Sequence, residues 1–248
     1  MTVNREPPAQ SIFARPLPLP RGPHELSREE VAESQRTRLM AAFTELLAAY
    51  GYAGVRLAEL VARAGVSKAT FYDHFADKQQ CMLAAYEEYL RMLIAAIVPA
   101  AREDTPLLID FVRSVVTRYL AMIERDLTAA RAFFVELESA GSEARTRRRI
   151  ERQVFTTLVG EGHQHFRARD PSLAPLPTIA YEAIVDAARE IVRDRLDTEP
   201  QPDLASLVPD LTLTFTAIFQ GAAAAHAAQS GRSSDLREPC TAPGRPLP

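Results

Sequence analysis

Three observations in the sequence predict an all-α protein. Apolar residues recur at three- and four-residue spacing in one segment after another, the pattern of a helix with one buried stripe. Helix-starting chemistry at Ser27, Asp77 and Thr105-Pro106 and helix-stopping chemistry at Gly51, Gly65, Pro99 and Gly141 punctuate those segments. No run alternates apolar and polar residues as a strand would, and no internal repeat stands out. The expected architecture is an N-terminal three-helix domain built around a helix-turn-helix, followed by a C-terminal helical bundle.

Four stretches are expected along the chain. Residues 1–26 hold Pro7, Pro8, Pro16, Pro18, Pro20 and Pro23, which exclude a regular helix, so this arm is expected to be disordered. A sharper reading makes Arg15 and Arg21 an arm that enters a DNA minor groove. Residues 27–78 form the helix-turn-helix domain, residues 79–228 a ligand-binding and dimerisation domain, and residues 229–248, where Gly and Pro return, a disordered tail.

Ser27-Arg28-Glu29-Glu30 is a capping box that opens the first long helix. Val31, Leu39, Phe43, Leu46, Leu47 and Tyr50 give that helix its apolar stripe, and Gly51 ends it. Leu57, Leu60, Val61 and Ala64 repeat at helical spacing in the next segment. Gly65 can take the left-handed conformation that stops this short helix, and Ser67 can cap another. In that following helix Val66, Phe71 and Phe75 face inward, while Lys68, Ala69, Thr70, Tyr72, Asp73 and His74 face outward. Two short helices meeting at a Gly-Val-Ser turn make a helix-turn-helix, whose second helix enters the major groove of DNA. Asp77 caps the helix after it and places Lys78 in its first turn, within reach of a phosphate.

The run Ala64, Gly65, Val66, Ser67, Thr70, Phe71, Tyr72, His74, Phe75 and Lys78 resembles the TetR family of bacterial transcriptional regulators, whose pattern is A-G-V-S-x-x-T-[FL]-Y-x-[HY]-F-x-x-K. The resemblance extends over roughly residues 29–92. It implies DNA contacts at Ser67, Lys68, Ala69, Thr70, Tyr72, His74 and Lys78. Arg56 stands where that family usually has a capping Thr. A guanidinium cannot accept from helix N–H groups and is instead available to phosphate, which adds Arg56 to the contacts. The resemblance further implies a homodimer, a ligand cavity in the C-terminal bundle and a four-helix dimer interface made by the last two helices.

Beyond Lys78 a connecting helix runs through Met82, Tyr89 and Leu93 to Val98. Thr105 and Pro106 are expected to cap and begin the next, with Val112, Val116 and Leu120 buried. Asp126 starts a shorter helix that ends at Gly141, and Ser142 opens another in which Gly160 and Gly162 predict a kink or break. After a loop at Pro171, Pro175 and Pro177, the last two helices span Ile179 to Leu196 and about Asp203 to Ala228, with a bent first turn at Pro209. The last is apolar on most sides, so one of its faces is expected to meet a second subunit. The candidate interface residues are Ile184, Ala188, Ile191, Leu211, Phe215, Ile218 and Phe219.

Candidate ligand-lining residues are Phe111, Tyr119, Phe133, Phe134, Glu136 and Phe155, although aromatic residues in a central helix equally suit plain core. Glu136 faces water, pairs with an Arg such as Arg131, or reads a ligand. The arginine run from Arg145 to Arg149 reads as a solvated face rather than a second nucleic-acid patch. His163 and His165, two apart on a helix, are expected at the surface and are poorly spaced for one metal ion.

Composition bounds the function classes. At 248 residues and 47% hydrophobic content the chain can bury a substantial core. Cys81 and Cys240 are far apart, so neither a disulfide framework nor a metal site is expected on them. With no apolar run of membrane-spanning length and no signal-peptide pattern, the expected location is the cytoplasm, away from the membrane. No nucleophile motif, metal spacing or phosphate-binding glycine loop supports an enzyme, and no cofactor is expected beyond a small-molecule effector. Net charge is −3, and residues 27–78 carry seven basic against seven acidic side chains. Binding to double-stranded DNA then has to rest on a few placed contacts instead of a broad basic field. The expected function is a ligand-responsive repressor that binds a palindromic operator as a homodimer. An activator of the same fold is the alternative, and a helical-bundle enzyme or an interaction protein the alternative class.

Overall fold

The computed structural model describes residues 27–103 and 105–235, with the backbone alone at 101, 102 and 222–235. The expected N-terminal arm with Arg15 and Arg21 lies outside the described residues, as does the tail beyond Asp235. Among the described residues the chain is all-helical: α1 Arg28–Gly54, α2 Leu57–Ala64, α3 Lys68–His74, α4 Lys78–Ile97, α5 Leu108–Glu124, α6 Leu127–Arg131, α7 Ser142–Arg167, α8 Thr178–Thr198 and α9 Val208–Asp235.

Local chemistry sets most of these boundaries. Ser27 accepts from the Glu30 amide at 3.2 Å while Glu30 accepts from the Ser27 amide at 2.7 Å, completing the capping box. Gly51, at φ 66° and ψ 170°, breaks α1 before its last turn. Gly65 at φ 65° closes α2, Ser67 accepts from the Thr70 amide at 3.0 Å to open α3, and Asp77 accepts from the Gln80 amide at 2.8 Å to open α4. A cap of this kind stabilises its helix by about 1 kcal/mol.

α1 packs on α2 and α4, and also on α6 and the irregular segment that follows it. In that segment a π turn at Ala132–Glu136 passes into a 3-10 turn at Leu137–Ala140. α7 and α8 lie together, and α9 lies along α5. One buried apolar cluster runs from Leu39 in α1 through Phe71, Tyr89 and Phe133 to Phe219 in α9.

Several sequence expectations change. α5 begins at Leu108 after an extended Leu107, not at Thr105-Pro106. The Thr105 amide instead donates to the Glu103 carbonyl at 2.9 Å, and Glu103 accepts from Ser114 and Arg118 of α5, so the connector is held by the helix it precedes. α9 continues to Asp235 rather than ending near Ala228, in keeping with the high helix propensity of its alanine run.

α7 is continuous through Gly160 and Gly162. Both glycines serve packing: a Cβ at Gly160 would lie 3.5 Å from the Tyr181 ring, and one at Gly162 would lie 2.9 Å from Cζ of Phe111. His163 is fully buried, against expectation. Its Nδ1 is 2.9 Å from the Tyr181 hydroxyl and its ring stacks on Phe219 at 4.9 Å. Desolvation first, then the Arg167 charge, hold its pKa below the usual histidine value.

The two glycines separate in a stability measurement. Gly160→Ala meets Tyr181 at ordinary contact distance and gains helix propensity, so it is expected to raise the unfolding free energy by up to about 1 kcal/mol in urea denaturation. Gly162→Ala has to displace Phe111 and is expected to gain less than Gly160→Ala or to lose stability.

Candidate nucleic-acid interface and ligand cavity

The helix-turn-helix is held by interactions that its sequence pattern did not reveal. Arg38 of α1 is buried, and its Nη1 donates to the carbonyls of Ala64 at 3.0 Å and Gly65 at 3.4 Å. It therefore satisfies the free C-terminal carbonyls of α2 and places a cation at that helix's negative end. The available signal was a cation three and four residues before the buried Ala41 and Ala42 and directly before Leu39. Phe71 is fully buried and Phe75 nearly so, which anchors the inner face of α3.

On the outer face Lys68, Ala69 and Tyr72 are exposed, Tyr72 by 57%, and Arg56 is exposed at the start of α2. Arg56 makes no side-chain cap bond there. Ser67 is exposed too, but its hydroxyl is tied to Thr70 Oγ1 at 2.9 Å as well as to the Thr70 amide, and Thr70 is half-buried. His74 turns toward α1, its Nε2 3.2 Å from Gln35 Oε1, and desolvation followed by the Arg36 charge lowers its pKa.

Lys78 departs from expectation. Its ammonium points inward, donating to the carbonyls of Tyr52 at 3.1 Å and Val55 at 3.3 Å and lying 4.3 Å from the Tyr52 ring centroid. It closes the end of α1 against the start of α4 and is not presented to a phosphate: it joins the Val55 amide on the Tyr52 carbonyl and also donates to the Val55 carbonyl just past the helix end. Arg63 is paired with Glu45 at 2.9 Å, and Arg36 lies 4.7 Å above the Phe75 ring. Among the described residues of α2, α3 and their caps, Arg56 and Lys68 are thus exposed cations outside the Arg63–Glu45 pair.

The second site is a cavity of about 300 Å³ between α5, α7, α8 and α9. Its wall is mostly apolar, with Val112, Val116, Leu158 and Val159 among the lining residues. Of the expected ligand residues, Phe111, Tyr119 and Phe155 line it. Phe133, Phe134 and Glu136 do not. The π turn packs both phenylalanines into the core, Phe133 against Tyr86 and Tyr89 and Phe134 against Tyr89. Glu136 is half-buried beside Gly51, where a Cβ would come within 3.1 Å of its Oε2. Arg131 donates to the carbonyls of Leu196, Glu199 and Pro200.

The expected dimer residues also move. Ile184, Ala188, Phe215 and Phe219 line the cavity, and Leu211 is buried within the chain. α9 is apolar on several sides because one side closes a cavity in its own chain, and Ile218 is half-buried beside that side. Of the set only Ile191 is exposed, by 37%.

Three charged residues line the cavity where α7 and α8 meet. Glu151 of α7 is buried and accepts a hydrogen bond from the Tyr86 hydroxyl of α4. Arg189 of α8 is buried: its Nη1 lies 3.5 Å from Glu151, its Nη2 donates to the Phe133 carbonyl at 3.0 Å, and its guanidinium is 4.6 Å from the Phe134 ring centroid. Arg148 turns inward out of the arginine run, its Nη1 3.9 Å from Glu151 and its Nη2 4.0 Å from Asp186. Burial, then the nearby Arg189, lower the Arg148 pKa, and burial, then Glu151, raise that of Tyr86. The sequence carried a signal for this cluster, since Arg148 and Glu151 sit at helical spacing within the stripe Ala144, Phe155 and Phe166. Charges in an apolar stripe mark buried polar work.

The described residues thus combine a helix-turn-helix whose outer face is exposed with a helical bundle that encloses an apolar cavity. Residues 39–85 match the family described as bacterial regulatory proteins, tetR family. FasR of Mycolicibacterium smegmatis, an HTH-type transcriptional activator, is 30% identical over 102 residues, which are 41% of this chain and 46% of that protein. The match therefore spans under half the length of that relative. The fatty acid degradation regulator FadR of Bacillus halodurans superposes with a TM-score of 0.67 at 19% identity, over 75% of this chain and 95% of that one. FadR of Bacillus subtilis, solved in complex with stearoyl-CoA, gives a TM-score of 0.65 at 16% identity over 74% and 97%. At these identities the two structures establish the fold. No helix among the described residues is long and apolar enough to cross a membrane.

The inward turn of Lys78 separates the proposed contacts into two groups. Lys68→Ala with Tyr72→Ala is expected to leave unfolding stability within about 0.5 kcal/mol while abolishing DNA retardation, because both side chains are exposed. Lys78→Met is expected to lower stability by about 1 to 3 kcal/mol, since two carbonyls lose a charged donor.

Proposed function

We propose that this chain is a transcriptional regulator that binds double-stranded DNA through the outer face of α3 and releases it in response to a small effector in the bundle cavity. The observation that carries this reading is the exposed face of Lys68, Ala69 and Tyr72 within the segment that matches the tetR family. Arg56 and Lys68 supply the phosphate contacts, Tyr72 reads the groove, and Ser67, Thr70 and His74 hold the helix in register. With the 27–78 segment carrying no net charge, base and shape contacts carry a large part of the affinity.

The active form is a homodimer. α8 exposes Ile179, Ala183, Ala187 and Ile191 at four-residue spacing, and α9 exposes Leu213 and Ala217, with Ile179 exposed by 66% and Leu213 by 65%. This face lies on the same two helices as the residues expected from the sequence, but on the side turned away from the cavity. A twofold pairing of these helices presents two copies of α3 to DNA, so the operator is an approximate palindrome.

Repression follows from occupying a promoter, and an effector releases DNA by favouring a dimer whose α3 spacing no longer fits. FadR of Bacillus subtilis holding stearoyl-CoA and the name of FadR of Bacillus halodurans support an effector with an alkyl chain. FasR favours a second reading, activation, and the sign of a promoter–reporter response in a deletion strain distinguishes the two.

Footprinting of the full-length protein on DNA flanking its own gene tests the proposal. The expected result is an approximately palindromic protected site with half-site centres roughly 34 to 36 Å apart, and loss of protection with Leu213→Glu. Absence of specific protection on that DNA, and on fragments recovered by genome-wide capture, contradicts it.

A further inference from the structure

Glu151 stands between the 300 Å³ cavity and a smaller hollow of about 80 Å³ on the α4 side, which Tyr86 also lines. Two guanidinium groups, Arg148 and Arg189, meet this one carboxylate at the cavity wall. Neither is bonded to it closely: the separations are 3.9 and 3.5 Å, at or beyond the limit of a hydrogen bond. The Nε atoms of both arginines are buried without a hydrogen-bond partner. The other ionisable groups nearby are more exposed and engaged elsewhere. Asp186 is 3.2 Å from Arg152, which also pairs with Glu182, and Glu161 and His165 line the cavity from exposed positions on α7.

We propose that the cavity takes an aliphatic monocarboxylate, its alkyl chain among Val112, Val116, Phe155 and Phe215 and its carboxylate on Arg148 and Arg189 in competition with Glu151. This rests on the cavity being an effector site and names the effector's chemical class. The geometry favours an anionic head for a physical reason. An unmet buried donor is costly, and a charged acceptor answers it more strongly than a neutral one. An alcohol or a thioester presents only a neutral oxygen. A single carboxylate also suits the site because the rest of the wall is mostly apolar. The incoming anion weakens the hold of both arginines on Glu151, the group that accepts from Tyr86, so occupancy is felt on α4.

Isothermal titration of the full-length protein with decanoate, decan-1-ol and decanoyl-coenzyme A tests this. Decanoate is expected to bind at least about tenfold more tightly than decan-1-ol, the scale of a charge-assisted hydrogen bond. Arg148→Gln is expected to remove most of that difference, leaving decan-1-ol unchanged. Glu151→Gln, which removes the competing anion, is expected to tighten decanoate several-fold. Equal affinities for decanoate and decan-1-ol, or weaker decanoate binding in Glu151→Gln, overturn the proposal. Binding of decanoyl-coenzyme A without decanoate overturns the carboxylate head while upholding the effector cavity, and silence of all three ligands overturns both. Should a variant fail to fold, the comparison of the two ten-carbon ligands on the unmodified protein decides.

Discussion

A carboxylate enclosed by apolar side chains has to be surrounded by donors, and much of this structure is arranged around that requirement at Glu151. Leaving such a group unpaired costs several kcal/mol. The hydroxyl of Tyr86 on α4 donates to it, and two guanidinium groups face it as ion pairs, Arg189 on α8 at 3.5 Å and Arg148, one turn before it on α7, at 3.9 Å. Arg189 carries the tie further, because its second amino group serves the Phe133 carbonyl in the π turn. One buried charge thereby fixes the relative placement of α4, α7, α8 and the turn that supports α1.

That arrangement matters for function because α4 is shared. Its middle meets the wall of the cavity through Tyr86, and its first residue, Lys78, is bonded to the carbonyls at the end of α1. A shift of α4 therefore acts on the frame that carries α2 and α3, while Arg38 keeps α2 attached to α1. In the proposed regulator the helix-turn-helix would move as a unit, so that a small displacement at the cavity would change the separation of the two recognition helices of a dimer. Coupling of the proposed kind is reciprocal, so DNA would weaken an effector by the factor with which the effector weakens DNA.

The sequence made the helix-turn-helix legible because its signals are local. Gly65, Ser67 and Asp77 act within three residues of themselves, and the inward Phe71 and Phe75 follow from helical spacing alone. What escaped is set by partners distant in the chain. Lys78 reads as a phosphate contact because nothing nearby in the sequence shows that its ammonium reaches the Tyr52 and Val55 carbonyls. Gly160 and Gly162 looked like helix breakers, yet the rings of Tyr181 and Phe111 fill the space they leave. For α8 and α9 the difficulty is different. When a helix is apolar on more than one side, periodicity cannot say which side closes a cavity: Ile184, Ala188, Phe215 and Phe219, expected at a subunit interface, line the cavity, and Leu211 is buried within the chain. The cavity charges were visible as Arg148 and Glu151 in an apolar stripe, but their pairing with Tyr86 and Arg189 depends on the fold.

The most direct test of the central claim, that Glu151 ties α4 to the cavity wall, is amide hydrogen exchange of the full-length protein with and without Tyr86→Phe, which removes the hydroxyl and keeps the ring. Faster exchange along α4 and in residues 57–78, with α5 and α9 unchanged, is the predicted result. Exchange altered only in α7, or not altered at all, would show that packing alone holds α4 and that the buried carboxylate does not connect the two sites.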